Sequence, residues 1–133
     1  MKKVLISMIF ILILSSCTSL NLDKKYTTFE EKQSLILLIE NIKTNLKSGK
    51  ITKMEENLVS SYKNKKILEM LEKIDFSKIN ILSSKPEFAG DKASNTVAMI
   101  YNDGTMYFDV DYLFENDKWK IADFKERRGE NEN

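Results

Sequence analysis

The chain has 133 residues, the size of one domain, and its 21 Lys and Arg nearly cancel 20 Asp and Glu. That balance gives no support to nucleic-acid binding, which needs a concentrated basic surface. Histidine is absent, which removes Ser-His-Asp and Cys-His machinery and histidine-based zinc sites, and a single cysteine allows no internal disulfide.

Lys2 and Lys3 open the chain, followed by an apolar run from Val4 to Leu14 whose one polar residue is Ser7. The run is shorter than the roughly 20 residues of a mature spanning helix, but it suits the core of a signal peptide. It ends in Leu14-Ser15-Ser16-Cys17. These four residues resemble the lipobox of bacterial lipoproteins: an aliphatic residue, two small ones, then cysteine. Small side chains let the backbone lie extended in a signal peptidase, and the thiol is the soft nucleophile on which a diacylglyceryl thioether is built. The resemblance implies a signal peptide over residues 1–16, lipid (diacylglyceryl and palmitate-like acyl chains) on Cys17, and export to the cell envelope. At about 0.8 kcal/mol per buried methylene, two or three acyl chains hold firmly where one is marginal. Thr18 stands where an aspartate would retain a lipoprotein in an inner membrane. The expected address is the outer membrane in a host with two membranes, and otherwise the outer face of the cell membrane. An ordinary secretory signal and an uncleaved anchor are the alternatives.

Residues 17–26 are expected to form the lipidated cysteine and a polar spacer, residues 27–126 a single domain, and residues 127–133 a polar tail. Thr28-Phe29-Glu30-Glu31 has the capping-box form, and Leu35, Leu38, Ile39, Ile42 and Leu46 recur at helical spacing before Gly49. Thr52 and Glu55 repeat the capping arrangement ahead of a short segment to Leu58. A second long helix is predicted from Ser61 to Ile74, with Ile67, Leu68, Leu71 and Ile74 as its apolar face and Lys63, Lys65 and Lys66 solvated near its start. Phe76 to Ser84 then reads as a strand ended by Pro86, with a turn at Gly90-Asp91 and a strand from Thr96 to Tyr101. Asn102-Asp103-Gly104 is a hairpin signal, since Asp-Gly tolerates the positive dihedrals of tight turns. Thr105 to Glu115 places Met106, Phe108, Val110, Tyr112 and Phe114 on one face; Asn116-Asp117 turns the chain; Lys118 to Phe124 returns with Trp119 and Ile121 inward.

Helices first and strands after predict an α+β domain, with N-terminal helices packed on an antiparallel meander of about four strands. From about Thr27 to Lys125 the chain resembles the nuclear-transport-factor-2-like superfamily, also called SnoaL-like or cystatin-like. The resemblance rests on the helix-first order and on the ending Leu113-Phe114-Glu115-Asn116-Asp117-Lys118-Trp119-Lys120-Ile121-Ala122-Asp123-Phe124. It implies a curved sheet forming a cone around the first helix, often with a pocket at the open end and sometimes with dimerisation through the sheet. Some members are isomerases, dehydratases or hydrolases; others only bind.

Asp109 and Asp111 are the candidate carboxylates for proton transfer, but alternation sets them beside Tyr107 and Leu113, opposite Phe108, Val110 and Tyr112. They are therefore expected to be solvated rather than catalytic. Tyr101 and Tyr112 lie on adjacent predicted strands and are the candidate ligand-binding residues. Trp119 is expected in the core. The four glycines are isolated, so no phosphate loop is formed, and neither metal nor cofactor is expected. Three roles remain open: a non-catalytic domain that binds an envelope partner, a carrier or sensor for a small apolar ligand, and an isomerase- or dehydratase-type enzyme.

Overall fold

The computed structural model describes residues 26–127. The expected signal peptide, Cys17 and most of the spacer and tail lie outside them. Within them the domain is α+β, with helices on one face of a five-stranded antiparallel sheet.

Helix α1 spans Phe29–Lys47. Thr28 caps it, its hydroxyl oxygen accepting from the Glu31 amide at 3.2 Å, and Leu35, Ile39, Ile42 and Leu46 bury its inner stripe. The helix ends at Gly49, whose φ of 73° only a residue without Cβ adopts at no steric cost. The second capping arrangement is not formed. Residues Ile51–Asn57 make a 3₁₀ helix without a side-chain cap, and its three-residue repeat stacks Ile51 and Met54 together in the core. Helix α2 spans Tyr62–Leu71, shorter than predicted, with Ser61 as its cap.

The strands are β1 (Asn80–Ser83), β2 (Glu87–Ala89), β3 (Lys92–Tyr101), β4 (Gly104–Glu115) and β5 (Lys118–Arg127). Their order is β1-β3-β4-β5, and β2 pairs with β3 on the same edge as β1. Several boundaries differ from the pattern-based expectation. Phe76 heads a 3₁₀ turn, because the Asp75 carboxylate accepts from the Ser77 amide and hydroxyl and pulls the chain out of strand geometry. Pro86 interrupts the edge strand without ending it. The pairing shifts by one residue between Ser83↔Val97 and Glu87↔Ser94, so β1 and β2 are one edge strand broken by an irregularity that tolerates proline. Strand β5 runs on to Arg127, which belongs to the sheet rather than to the tail.

The left-handed turn geometry expected at Asp103-Gly104 is found instead at Asn116 and Asp117, with φ of 54° and 61°. Further along β5, register slips between Asp111↔Asp123 and Tyr112↔Ile121, leaving Ala122 as an extra residue. Strict alternation from Ile121 would turn Asp123 inward. The bulge turns Phe124 inward in its place, with its ring 5.6 Å from that of Phe108. Asn64, buried in α2, holds this bulge: its Nδ2 donates to the Ala122 carbonyl at 3.2 Å and to the Val59 carbonyl at 2.8 Å.

Trp119 joins the helix layer to the sheet. Its indole N–H donates to the Glu31 carbonyl at 2.7 Å, and its ring meets Phe114 at 5.2 Å and Phe88 at 5.9 Å. Trp119→Ala is expected to cost about 3–5 kcal/mol, and Trp119→Phe about 1–2 kcal/mol because it keeps a ring but loses the donor. Urea unfolding followed by far-ultraviolet circular dichroism distinguishes the two; no loss in Trp119→Phe would mean that the hydrogen bond contributes nothing.

Candidate functional site

The inner face of the sheet and the helices enclose a small apolar cavity. Its lining includes Ile42, Leu46, Met99, Phe108, Val110 and Tyr112, with Lys43 at the edge, and its volume is about 50 Å³. Ligand sites for small molecules begin near 300 Å³, so in this conformation the cavity is too small for one, and its apolar lining offers water almost no hydrogen-bond partners.

Tyr112 lines that cavity and is buried. Its hydroxyl donates to Asn95 Oδ1 at 2.9 Å, and Asn95 Nδ2 donates to the Ser84 carbonyl at 3.2 Å. The pair satisfies two polar side chains inside the core and ties the irregular edge at Ser84 to β4. Tyr101 is half-buried and packs against the core from elsewhere. In the β3–β4 register Tyr101 faces Gly104 and Tyr112 faces Ala93, so the two tyrosines stand at opposite ends of one hairpin. They are not brought together.

Asp109 and Asp111 lie on the outer face, as alternation indicated. Asp109 is gripped by Arg127, whose Nε donates at 3.2 Å to one carboxylate oxygen while Nη2 meets the other, and Arg127 Nη2 also reaches Thr96 Oγ1 at 3.2 Å. The Arg127 guanidinium is the main reason the Asp109 carboxyl sits below its ordinary value. Asp109 is thus held ionised at neutral pH, the opposite of what a general acid needs. Asp111 faces Asp123 across β5 and opens onto a groove of about 610 Å³ that also takes in Glu87, Phe88 and Lys92. Asp123 is met by Lys63 from α2, which turns one of the three early lysines into a clamp between helix and sheet. Among the described residues no group of three or more potential ligands is placed to hold a metal.

The feature that periodicity did not single out lies on the same outer face, nearer the β3–β4 turn. Register aligns Leu82, Ala98 and Tyr107 in one row across β1, β3 and β4. Leu82 is 53% exposed and Tyr107 48% exposed, and half-buried Ile100 stands next to Ala98 on that face. In the run Ile79 to Leu82 the sequence shows adjacent apolar residues without saying which one points outward; only the pairing with β3 assigns Ile81 to the core and Leu82 to the surface. Helix α2 carries a second exposed group, in which Tyr62 and Met70 flank Lys66, whose ammonium lies 5.5 Å from the Tyr62 ring centroid.

No protein-family model matches the chain, and no curated protein does. No helix among the described residues is long and apolar enough to cross a membrane.

Burial keeps the Tyr112 hydroxyl protonated well above the ordinary phenol value of 10.0, against a weaker opposing effect of its bond to Asn95. Above about pH 10 the unfolded chain releases this proton and the folded chain keeps it, so stability falls as pH rises through that range. Tyr112→Phe is expected to lose about 1–2 kcal/mol at pH 7, where Asn95 loses its donor, and to show a shallower alkaline decline. Thermal melts between pH 8 and 11 read both effects; an unchanged alkaline slope would assign the titration elsewhere.

Proposed function

We propose that this chain is a lipid-anchored protein of the cell envelope whose domain works by binding another protein, without catalysis. The anchor rests on the run ending in Leu14-Ser15-Ser16-Cys17. The observation that carries the binding role is the exposed row Leu82–Ala98–Tyr107, an apolar surface on the outer face of the sheet. A lone exposed apolar side chain is ordinary, but aligned neighbours on a flat sheet offer a shared footprint. Arg127, paired with Tyr107 on β5, gives this footprint a charged rim, the usual arrangement of an apolar centre edged by polar groups. A second copy of the chain is one occupant this surface admits.

The nuclear-transport-factor-2-like cone remains our reading of the sheet's finer shape. It is supported by the helix-first order and by the bulge at Ala122, which bends β5. A second functional reading, a carrier of a small apolar molecule, is favoured by the almost wholly apolar lining of the internal cavity, with Lys43 beside it. It requires α1 to move away from the sheet until the space grows severalfold.

A photo-crosslinking amino acid at Tyr107, in the full chain expressed in a lipoprotein-processing bacterium, is expected to yield one discrete adduct. The same amino acid at Thr44, exposed on α1, is expected to yield none, and Leu82→Ser is expected to weaken the Tyr107 adduct severalfold. Equal labelling from both positions would remove the sheet surface from consideration. Intact mass of the same protein is expected to show acyl chains that Cys17→Ser lacks. Native mass spectrometry of the purified protein tests the carrier reading, which predicts a bound small molecule.

A further inference from the structure

The structure fixes where the tether enters the domain. Thr27 Oγ1 donates to the Gly90 carbonyl at 2.7 Å, stapling the start of the domain to the β2–β3 turn, and the next residue caps α1. The indole bond from Trp119 to Glu31 secures the first turn of the helix a few residues on. The chain therefore leaves the domain at one end, beside the Gly90 and Asn116–Asp117 turns. Cys17 lies nine positions before Tyr26, and even fully extended that stretch reaches about 30 Å.

Two large aromatic side chains stand at this exit with little cover. Tyr26 is 80% exposed and Phe29 is 74% exposed. They flank the capping residue, where the fold has no use for apolar surface: Leu35, Ile39, Ile42 and Leu46 already fill the inner stripe of α1. An exposed Tyr–Phe pair within such a short reach of an acylated cysteine has one apolar phase always at hand.

Resting on the anchoring reading above, we infer that Tyr26 and Phe29 dock the domain on the bilayer that holds Cys17, seating both rings in the headgroup region. Tyr26 favours that depth because its apolar ring enters while its hydroxyl stays wet, and Phe29 beside it gains by removing its ring from water. The tether supplies the rest. Confinement within its reach raises the local concentration of bilayer seen by the two rings, so a contact too weak for a diffusing protein suffices for an anchored one. The docking is apolar rather than electrostatic, since Lys24 and Lys25 before Tyr26 are offset by Glu30 and Asp91 at the exit, leaving no net charge there to draw anionic headgroups. Its consequence is orientation. Strand β3 starts at Lys92 beside the Gly90 turn, and Ala98 lies six residues along it, about 20 Å away at the ordinary strand rise. The row Leu82–Ala98–Tyr107 is then carried at the end of the sheet away from the exit, accessible to a partner.

Hydroxyl-radical footprinting of the full lipidated chain in phosphatidylcholine vesicles, read by peptide mass spectrometry, tests this directly. Tyr62 and Met70, 77% and 65% exposed on α2, serve as references in the same molecule. Oxidation of Tyr26 and Phe29 is expected to fall severalfold below theirs, relative to the intrinsic reactivity of each residue type. Adding phosphatidylglycerol to the vesicles is expected to change nothing, and ten Gly and Ser residues inserted after Lys25 are expected to leave most of the protection in place. Full oxidation of Tyr26 and Phe29 on a chain whose Cys17 peptide carries its acyl mass would overturn the docking while leaving the anchor intact. Protection that needs anionic lipid, that vanishes with the longer tether, or that falls on Tyr62 and Met70 would equally overturn it. A Cys17 peptide without acyl mass would instead remove the anchoring reading, and the docking with it.

Discussion

The indole of Trp119 is where the two layers of this domain are joined. An α+β domain of this size gains stability only if its helices stay registered on the sheet, and the general burial of apolar side chains does not choose a register. A directed bond does. The Trp119 N–H reaches the Glu31 carbonyl in the first turn of α1, while the ring packs against Phe114 on β4 and Phe88 on β2. One side chain thus ties the start of the first helix to three strands. The position of α1 on the sheet, the line of Leu35, Ile39, Ile42 and Leu46 over the core and the place where the chain enters the domain all follow from that end being held.

The sheet then divides its labour by face and by end. Its inner face is filled, leaving a cavity of about 50 Å³, and the polar groups within it, Tyr112 and Asn95, satisfy each other. Its outer face is mixed. Asp109 with Arg127, and Asp123 with Lys63, form ion pairs at the surface, where such pairs contribute little to stability; they set a charged stretch apart from Leu82, Ala98 and Tyr107, the apolar stretch. If the chain is held by Cys17, the two ends of the sheet meet different surroundings: lipid at the Gly90 end, solvent and partners toward the β3–β4 turn. This arrangement needs no pocket.

The bulge at Ala122 shows how a local irregularity keeps the two faces separate. Strand β5 must bury Trp119, Ile121 and Phe124, a spacing that plain alternation cannot deliver. One extra residue restores it, and the carbonyl exposed by the bulge finds the amide of Asn64 in α2. A polar residue in the helix core is therefore the counterpart of an irregularity in a distant strand. Neither is intelligible from its own segment.

Much of the architecture was legible in residue order. Spacing of Leu35, Ile39, Ile42 and Leu46, with Thr28 before and Gly49 after, determined α1, because capping and amphipathicity are local properties. Alternation from Met106 to Phe114 determined β4 and sent Asp109 and Asp111 outward. The pattern Leu14-Ser15-Ser16-Cys17 supplied the expectation of an anchor by chemistry alone. Other features required the folded chain. Asp103-Gly104 carried the stronger turn signal, yet the left-handed turn formed at Asn116-Asp117, since turn type follows the twist and pairing of both strands. Tyr101 and Tyr112 looked like neighbours until register placed them at opposite ends of a hairpin. The outward aim of Leu82 and the stapling of Thr27 to Gly90 depend on contacts between residues far apart in sequence. Local periodicity states what a segment can bury; which side of it is buried, and against what, is settled only when strands pair and a single core must accommodate them all.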